Sequence, residues 1–311
     1  MLAETPHDIG EAIMATKQRI GFIGVGLMGH GMAKNIVEKG YPLTVLGHRN
    51  RQPVEDLIKR GAREAKTAKE LAQQSDIVFT CVTGSPQVED IVFKKDGLLE
   101  GLRAGMIVAD SSTAEPTSTM KVAAAVMEKG ARFADTPLVR TPKEAEAGTL
   151  AVMVGSDAAL LAELRPVLET FANAIFHAGP MGAGHKLKLI NNYIALAACA
   201  AAAEGIATAK KAGVDLKALS DIVTSGGANS VMFQRLSKYF LDGDDTHAIF
   251  ALSNCAKDLR YYTHMAEATP AVGFIAEAVH QTFQMANTRG YGDKYLPHIL
   301  DAIVESNGGN P

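Results

Sequence analysis

From Arg19 to about Gly179, short runs of aliphatic and β-branched residues alternate with stretches whose apolar positions recur at helical spacing. RIGFI, LTVL, DIVFTCV and MIVAD predict strands, while LMGHGMAKNIVEKG and PTSTMKVAAAVMEKG predict helices. RFAD, LAVMV and AIFHA continue the strand series beyond Gly130. Such alternation describes an α/β fold with a mostly parallel sheet covered by helices on both faces. Near Gly182 the pattern changes. Residues 183–212 predict a single helix, on the order of 45 Å long at the standard rise. Helical segments then start near Leu216, Ser230, Leu252 and Val272, punctuated by Gly226, Gly227, Gly243 and Pro270. The chain therefore divides into a sheet domain over residues 18–181 and an all-helical domain over 182–311.

Inside the long helix, YIALAACAAAAEGIATA is rich in alanine and carries Glu204 and Gly205, which favours a buried helix over a membrane span. Its small side chains also permit close contact between subunits, so a homo-oligomer, dimer or tetramer, is expected. With 311 residues and 47% hydrophobic content, the chain can bury a large core. The net charge of −3 comes without a run of Lys or Arg, which leaves no electrostatic footprint for nucleic acid or an acidic membrane and points to a small-molecule partner. Cys81, Cys199 and Cys255 lie far apart and form no CxxC pair, as suits a reducing cytoplasm. The first 17 residues contain Asp8 and Glu11 and no apolar core, so they read as a frayed extension outside the fold and not as a secretory signal.

Gly24, Gly26 and Gly29 form GxGxxG directly after RIGFI and at the start of a helix, with Leu27 and Met28 inside the turn. Glycines there let the backbone approach a pyrophosphate, and the helix start offers free N–H groups, so the sheet domain is read as a Rossmann-type dinucleotide site. An acid at the end of the second strand would hold the ribose 2′-hydroxyl of NAD, but Gly47, His48, Arg49, Asn50 and Arg51 follow LTVL. Guanidinium groups at that edge suit a 2′-phosphate, so NADP(H) is expected, with NAD less favoured; His48, Arg49 and Arg51 are the candidate contacts, unless they form only a solvated loop. In GAGHKLKLINNY, helix geometry puts Lys188 on one face with Asn191 and Asn192, and Lys186 on another with Ile190. A lysine beside two amides can move a proton while the amides hold substrate, although a structural ion pair would use the same residue. His177 and His185 flank this segment with no carboxylate assignable to either. No histidine spacing suggests a metal, and no GxSxG suggests a hydrolase.

The stretch IGFIGVGLMGHGMAKNIVEKGY, VADSST around Ser112, GTLAVMVGS, GPMGAGHKLKLINN and AKDL around Lys257 together resemble the β-hydroxyacid dehydrogenase family, over about residues 19–304. That family includes 3-hydroxyisobutyrate dehydrogenase and tartronate semialdehyde reductase. The resemblance implies a long interdomain helix, a substrate cleft between the domains and catalysis by Lys188. It further implies cofactor contacts from Cys81, Val82, Thr83, Thr113 and Lys257, and substrate contacts from Ser112, Asn191 and Asn192. An alternative of another class, a non-catalytic dinucleotide-binding module, would be expected to lose the lysine or carry a basic tail. Here Lys188 is present and no such tail is found.

One loop departs from the pattern. Where the family reads close to DAPVSGG, this chain has Asp135, Thr136, Pro137, Leu138, Val139, Arg140, Thr141 and Pro142. Arg140 and Thr141 thus replace a backbone cradle for a carboxylate with a charged fork. The loop resembles that of sulfolactaldehyde reductase, but Ala195 stands where a serine associated with sulfonate binding would be. The expectation is an NADPH-dependent reductase of a small semialdehyde acid such as 2-hydroxy-3-oxopropionate (tartronate semialdehyde), with sulfolactaldehyde reductase or 3-hydroxyisobutyrate dehydrogenase as alternatives.

Overall fold

The computed structural model describes residues 17–310, so most of the N-terminal extension lies outside the described residues. The sheet part runs β1 (Ile20–Ile23), α1 (Gly29–Glu38), β2 (Leu43–Leu46), α2 (Gln52–Lys59), β3 (Arg63–Ala65), α3 (Ala68–Gln73), β4 (Ile77–Thr80), α4 (Ser85–Phe93), β5 (Ile107–Asp110) and α5 (Pro116–Glu128). It continues through β6 (Arg132–Asp135), β7 (Leu138–Val139), α6 (Pro142–Ala147), β8 (Leu150–Gly155), α7 (Ala158–Leu168) and β9 (Ala172–Gly179). Then come α8 (Ala183–Ala212), α9 (Leu216–Ser225), α10 (Val231–Asp242), α11 (Leu252–Ala268), α12 (Phe274–Ala286) and α13 (Ile299–Ser306).

The sheet order is β3-β2-β1-β4-β5-β6-β8, with β9 paired to β8. Strands β1 to β6 pair in parallel, whereas β6 and β7 both meet β8 antiparallel and β9 runs parallel to β8. Because a parallel strand is covered on both faces, its side chains alternate between two apolar layers. Phe22 and Phe79 join Ile36, Leu164 and Phe171 on one face. Ile23 and Val78 join Leu71, Val122 and Phe133 on the other. Strands β3 and β7 were not foreseen: β3 is a three-residue edge strand with two exposed positions, and β7 is only two residues long.

Helix α8 begins after Gly182 and ends at Gly213, both in the left-handed conformation that glycine adopts without strain (φ 87° and 71°). By length and composition it could cross a membrane. Instead its Leu196, Cys199, Ala203 and Ile206 pack with Phe233, Leu252, Leu259, Phe283 and Ile299 in the core of the helical part. Its first turns lie against β8, β9 and α5. The helix that carries Lys188 is thus shared by the two parts of the molecule.

Candidate active site

The three motif glycines do different work. A Cβ on Gly24 (φ 99°) would come 2.2 Å from the Cys81 carbonyl oxygen, and one on Gly29 would come 2.0 Å from that of Gly24. Both are required by close backbone packing. Gly26, by contrast, would meet nothing within 4 Å. Its open face, the exposed Leu27, and a first helical turn without an acid or a side-chain cap leave N–H groups available, which fits a dinucleotide pyrophosphate. Met28 packs partly on the core behind the loop. Cys81 donates its N–H to Ile23 (2.8 Å), and the Val82 N–H goes to Ser112 Oγ (3.0 Å), so the loops after β4 and β5 are tied together beside the cradle. Thr83 is exposed, its carbonyl accepting from Lys257 Nζ; Thr113 is half-buried.

At the end of β2, His48 and Arg49 are exposed, and Arg49 forms no ion pair among the described residues. Arg51 is occupied: its two terminal nitrogens donate to Glu64 Oε1 (2.6 Å) and Oε2 (2.8 Å). This bidentate pair holds the Glu64 carboxyl below its ordinary range. A carboxylate thus lies beside the end of β2, supplied by β3, a strand the hydrophobic pattern did not reveal.

The cleft between the sheet and α11 holds the second group. Asp135, fully buried, accepts the Gly182 N–H (2.6 Å) and the His185 N–H (2.7 Å), capping α8 from the end of β6. One turn on, Lys188 donates to the Leu138 carbonyl (2.7 Å), while Lys186 is exposed. Burial pushes the Lys188 ammonium below the usual lysine range; Asp258 opposes this and Lys257 adds to it. Asn192 donates to Asp258 Oδ2 (2.6 Å), and Asn191 to Asn192 Oδ1 (3.2 Å). Lys188, Asn191, Asn192 and Asp258 thus form one cluster, as the helix face required, with Asp258 an unforeseen member. The Asp258 Oδ1 lies 3.1 Å from Lys257 Nζ but accepts no hydrogen bond among the described residues.

Ser112 is buried, its hydroxyl accepting from Val82 and its carbonyl from His185 Nε2 (3.1 Å); a carbonyl only accepts, so that ring nitrogen carries a proton. His185 also meets Thr119 Oγ1 at 2.8 Å and so clamps the Ser112 loop to α8. His177 points to the Ser156 carbonyl (2.8 Å). Thr141 is the N-cap of α6 in a capping box with Glu144. Arg140 donates from one terminal nitrogen to the Thr149 carbonyl and to Asn173 Oδ1 (2.6 Å). Its φ of 84° is the left-handed conformation that favours glycine, uncommon for an arginine. Among the described residues, no group of three or more His, Cys, Asp or Glu could hold a metal ion.

A glycine cradle after the first strand, together with a desolvated lysine on the helix shared by the two parts of the molecule, suits a nicotinamide-dependent oxidoreductase. Residues 19–179 match the NAD binding domain of 6-phosphogluconate dehydrogenase, and residues 182–303 the NAD-binding family of NADP-dependent 3-hydroxyisobutyrate dehydrogenase. The chain is 38% identical over 212 residues to the NAD-dependent L-serine dehydrogenase of Pseudomonas aeruginosa (68% of this chain, 71% of that one). It is 28% identical to glyoxylate/succinic semialdehyde reductase 1 of Arabidopsis thaliana (91% and 98%). The crystal structure of 3-hydroxyisobutyrate dehydrogenase from Salmonella typhimurium superposes with a TM-score of 0.81 at 29% identity (91% and 99%). The chain belongs to the β-hydroxyacid dehydrogenase family.

Proposed function

We propose that this enzyme is an NADPH-preferring reductase of a small semialdehyde acid, such as 2-hydroxy-3-oxopropionate, with Lys188 as the proton donor. The observation that carries the reading is Lys188 itself, an ammonium destabilised by burial, bonded to the Leu138 carbonyl, near Cys81 of the loop that packs on Gly24, and one turn from two side-chain amides. When bound, the cofactor supplies the hydride to the carbonyl carbon. Lys188 Nζ gives its proton to the carbonyl oxygen, and in the reverse direction the neutral amine takes the alcohol proton. Asn191 and Asn192 orient the substrate beside it, and Asp258 fixes Asn192. The similarity to a semialdehyde reductase supports the substrate class. A homo-oligomer in the cytoplasm completes the proposal.

Arg140 is the proposed anchor for the substrate's acid group. One terminal nitrogen is held by Thr149 and Asn173, and the guanidinium keeps further N–H donors for a bidentate contact. Strained backbone persists where the surroundings enforce it, often at binding sites, and the φ of Arg140 fits that rule. Sulfolactaldehyde is the second candidate on the same observation, since a guanidinium also suits a sulfonate. NADPH preference rests on Arg49. The test is to screen 2-hydroxy-3-oxopropionate, methylmalonate semialdehyde, succinate semialdehyde and sulfolactaldehyde with NADPH and NADH. Lys188→Ala should lower kcat by at least about 10²-fold and leave cofactor affinity intact. If no aldehyde acid is reduced, or Lys188→Ala keeps a kcat near that of the wild type, the proposal fails.

A further inference from the structure

We propose that Glu64, through its pair with Arg51, sets how strongly this chain discriminates NADPH from NADH. The inference rests on the dinucleotide reading above, in which the adenosine ribose lies at the end of β2. Residue 47 is the place from which an acid would reach that ribose, and here it is glycine. A Cβ on Gly47 would come 2.2 Å from Arg51 Nη1 and 2.4 Å from Glu64 Oε1. The pair therefore occupies the space that the side chain of residue 47 would fill. Glu64 reaches it from β3, where it lies beside Val45 in the parallel register, while its neighbour Ala65 turns into the core. Arg51 reaches it from the start of α2.

The two groups act on a ribose substituent with opposite sign. A 2′-phosphate is attracted by Arg51 and repelled by Glu64, whereas a 2′-hydroxyl can donate to Glu64. Paired, they nearly cancel, and Arg49 is left to supply the net positive charge. Arg51 is thus a restrained phosphate contact, and Glu64 is the residue that restrains it.

The experiment titrates NADPH and NADH separately into the wild type, Glu64→Gln, Arg51→Ala and Arg49→Ala by calorimetry at low and high salt. Thermal unfolding without nucleotide runs in parallel. Glu64→Gln should raise the NADPH-to-NADH affinity ratio about tenfold by releasing Arg51, and Arg51→Ala should lower it about tenfold by exposing Glu64. High salt should shrink both effects. If both variants keep the wild-type ratio within about twofold while Arg49→Ala changes it, the pair only ties β3 to α2 and the inference is overturned alone. If the wild type binds neither nucleotide, the dinucleotide reading falls and takes this inference with it.

Discussion

At the β2 edge, Arg51 and Glu64 face each other through two hydrogen bonds, and both side chains reach solvent. In the cleft, Lys188, Lys257 and Asp258 are crowded together with two cations to one anion, and one oxygen of Asp258 accepts no hydrogen bond among the described residues. Water screens the first group, so its contribution to stability is small and its effect falls on what approaches it. The second is desolvated, so burial and the neighbouring charges act on the protonation of Lys188 and oppose folding. We accordingly propose selectivity for the exposed pair and chemistry for the buried cluster.

The largest expected effect lies in the cleft. Lys188→Ala should lower kcat by about 10²- to 10⁴-fold, the usual range for removing a general acid, with the dissociation constant for NADPH unchanged. A comparable loss in cofactor binding would place the lysine in the cofactor site instead. Next is stability: Asp135→Ala leaves two buried main-chain N–H groups at the start of α8 without an acceptor and should cost on the order of 3 kcal/mol in denaturant unfolding. An unchanged midpoint would show that water replaces the carboxylate. Arg140→Ala should raise KM for the best anionic substrate about ten- to a hundredfold, with Arg140→Lys a partial rescue. Unaltered kinetics would assign Arg140 to Thr149 and Asn173 alone.

The pH dependence sharpens the comparison further. Reduction needs the ammonium, so its rate should fall as pH rises through the lowered pKa of Lys188, and oxidation should rise across the same interval. Asp258→Asn removes a charge that raises that pKa and should move the limb to lower pH; Lys257→Met should move it to higher pH. Shifts in the same direction would sink the electrostatic account. The smallest effect concerns the fold. A lysine whose folded pKa is lowered weakens the protein fully below that pKa, and the penalty fades as pH rises toward the unfolded value. Lys188→Met should therefore raise Tm, and the gain should shrink at alkaline pH.

What was legible in the sequence follows from locality. Residues 183–212 could be read as one helix because apolar spacing and two bounding glycines are properties of a single segment. The grouping of Lys188 with Asn191 and Asn192 needed only the helical repeat. Glu64 was hidden because it acts across strands: β3 carries too little apolar alternation to announce itself, and its carboxylate serves an edge defined by β2. Asp258 and Asp135 were hidden for the same reason, since their partners lie 66 and about 50 residues away. Arg140 was noticed by its chemistry, while its unusual φ appears only in three dimensions.

The shared helix α8 has a consequence for how the molecule comes apart. Its first turns are held by Asp135 and the β8–β9 edge, and its remaining length fills the centre of the helical core. Neither half can melt without stripping one end of the same rod, so partial unfolding would expose apolar surface along much of it. Calorimetry should accordingly show a single endotherm whose van't Hoff and calorimetric enthalpies agree, even though the chain is long enough for two independent transitions.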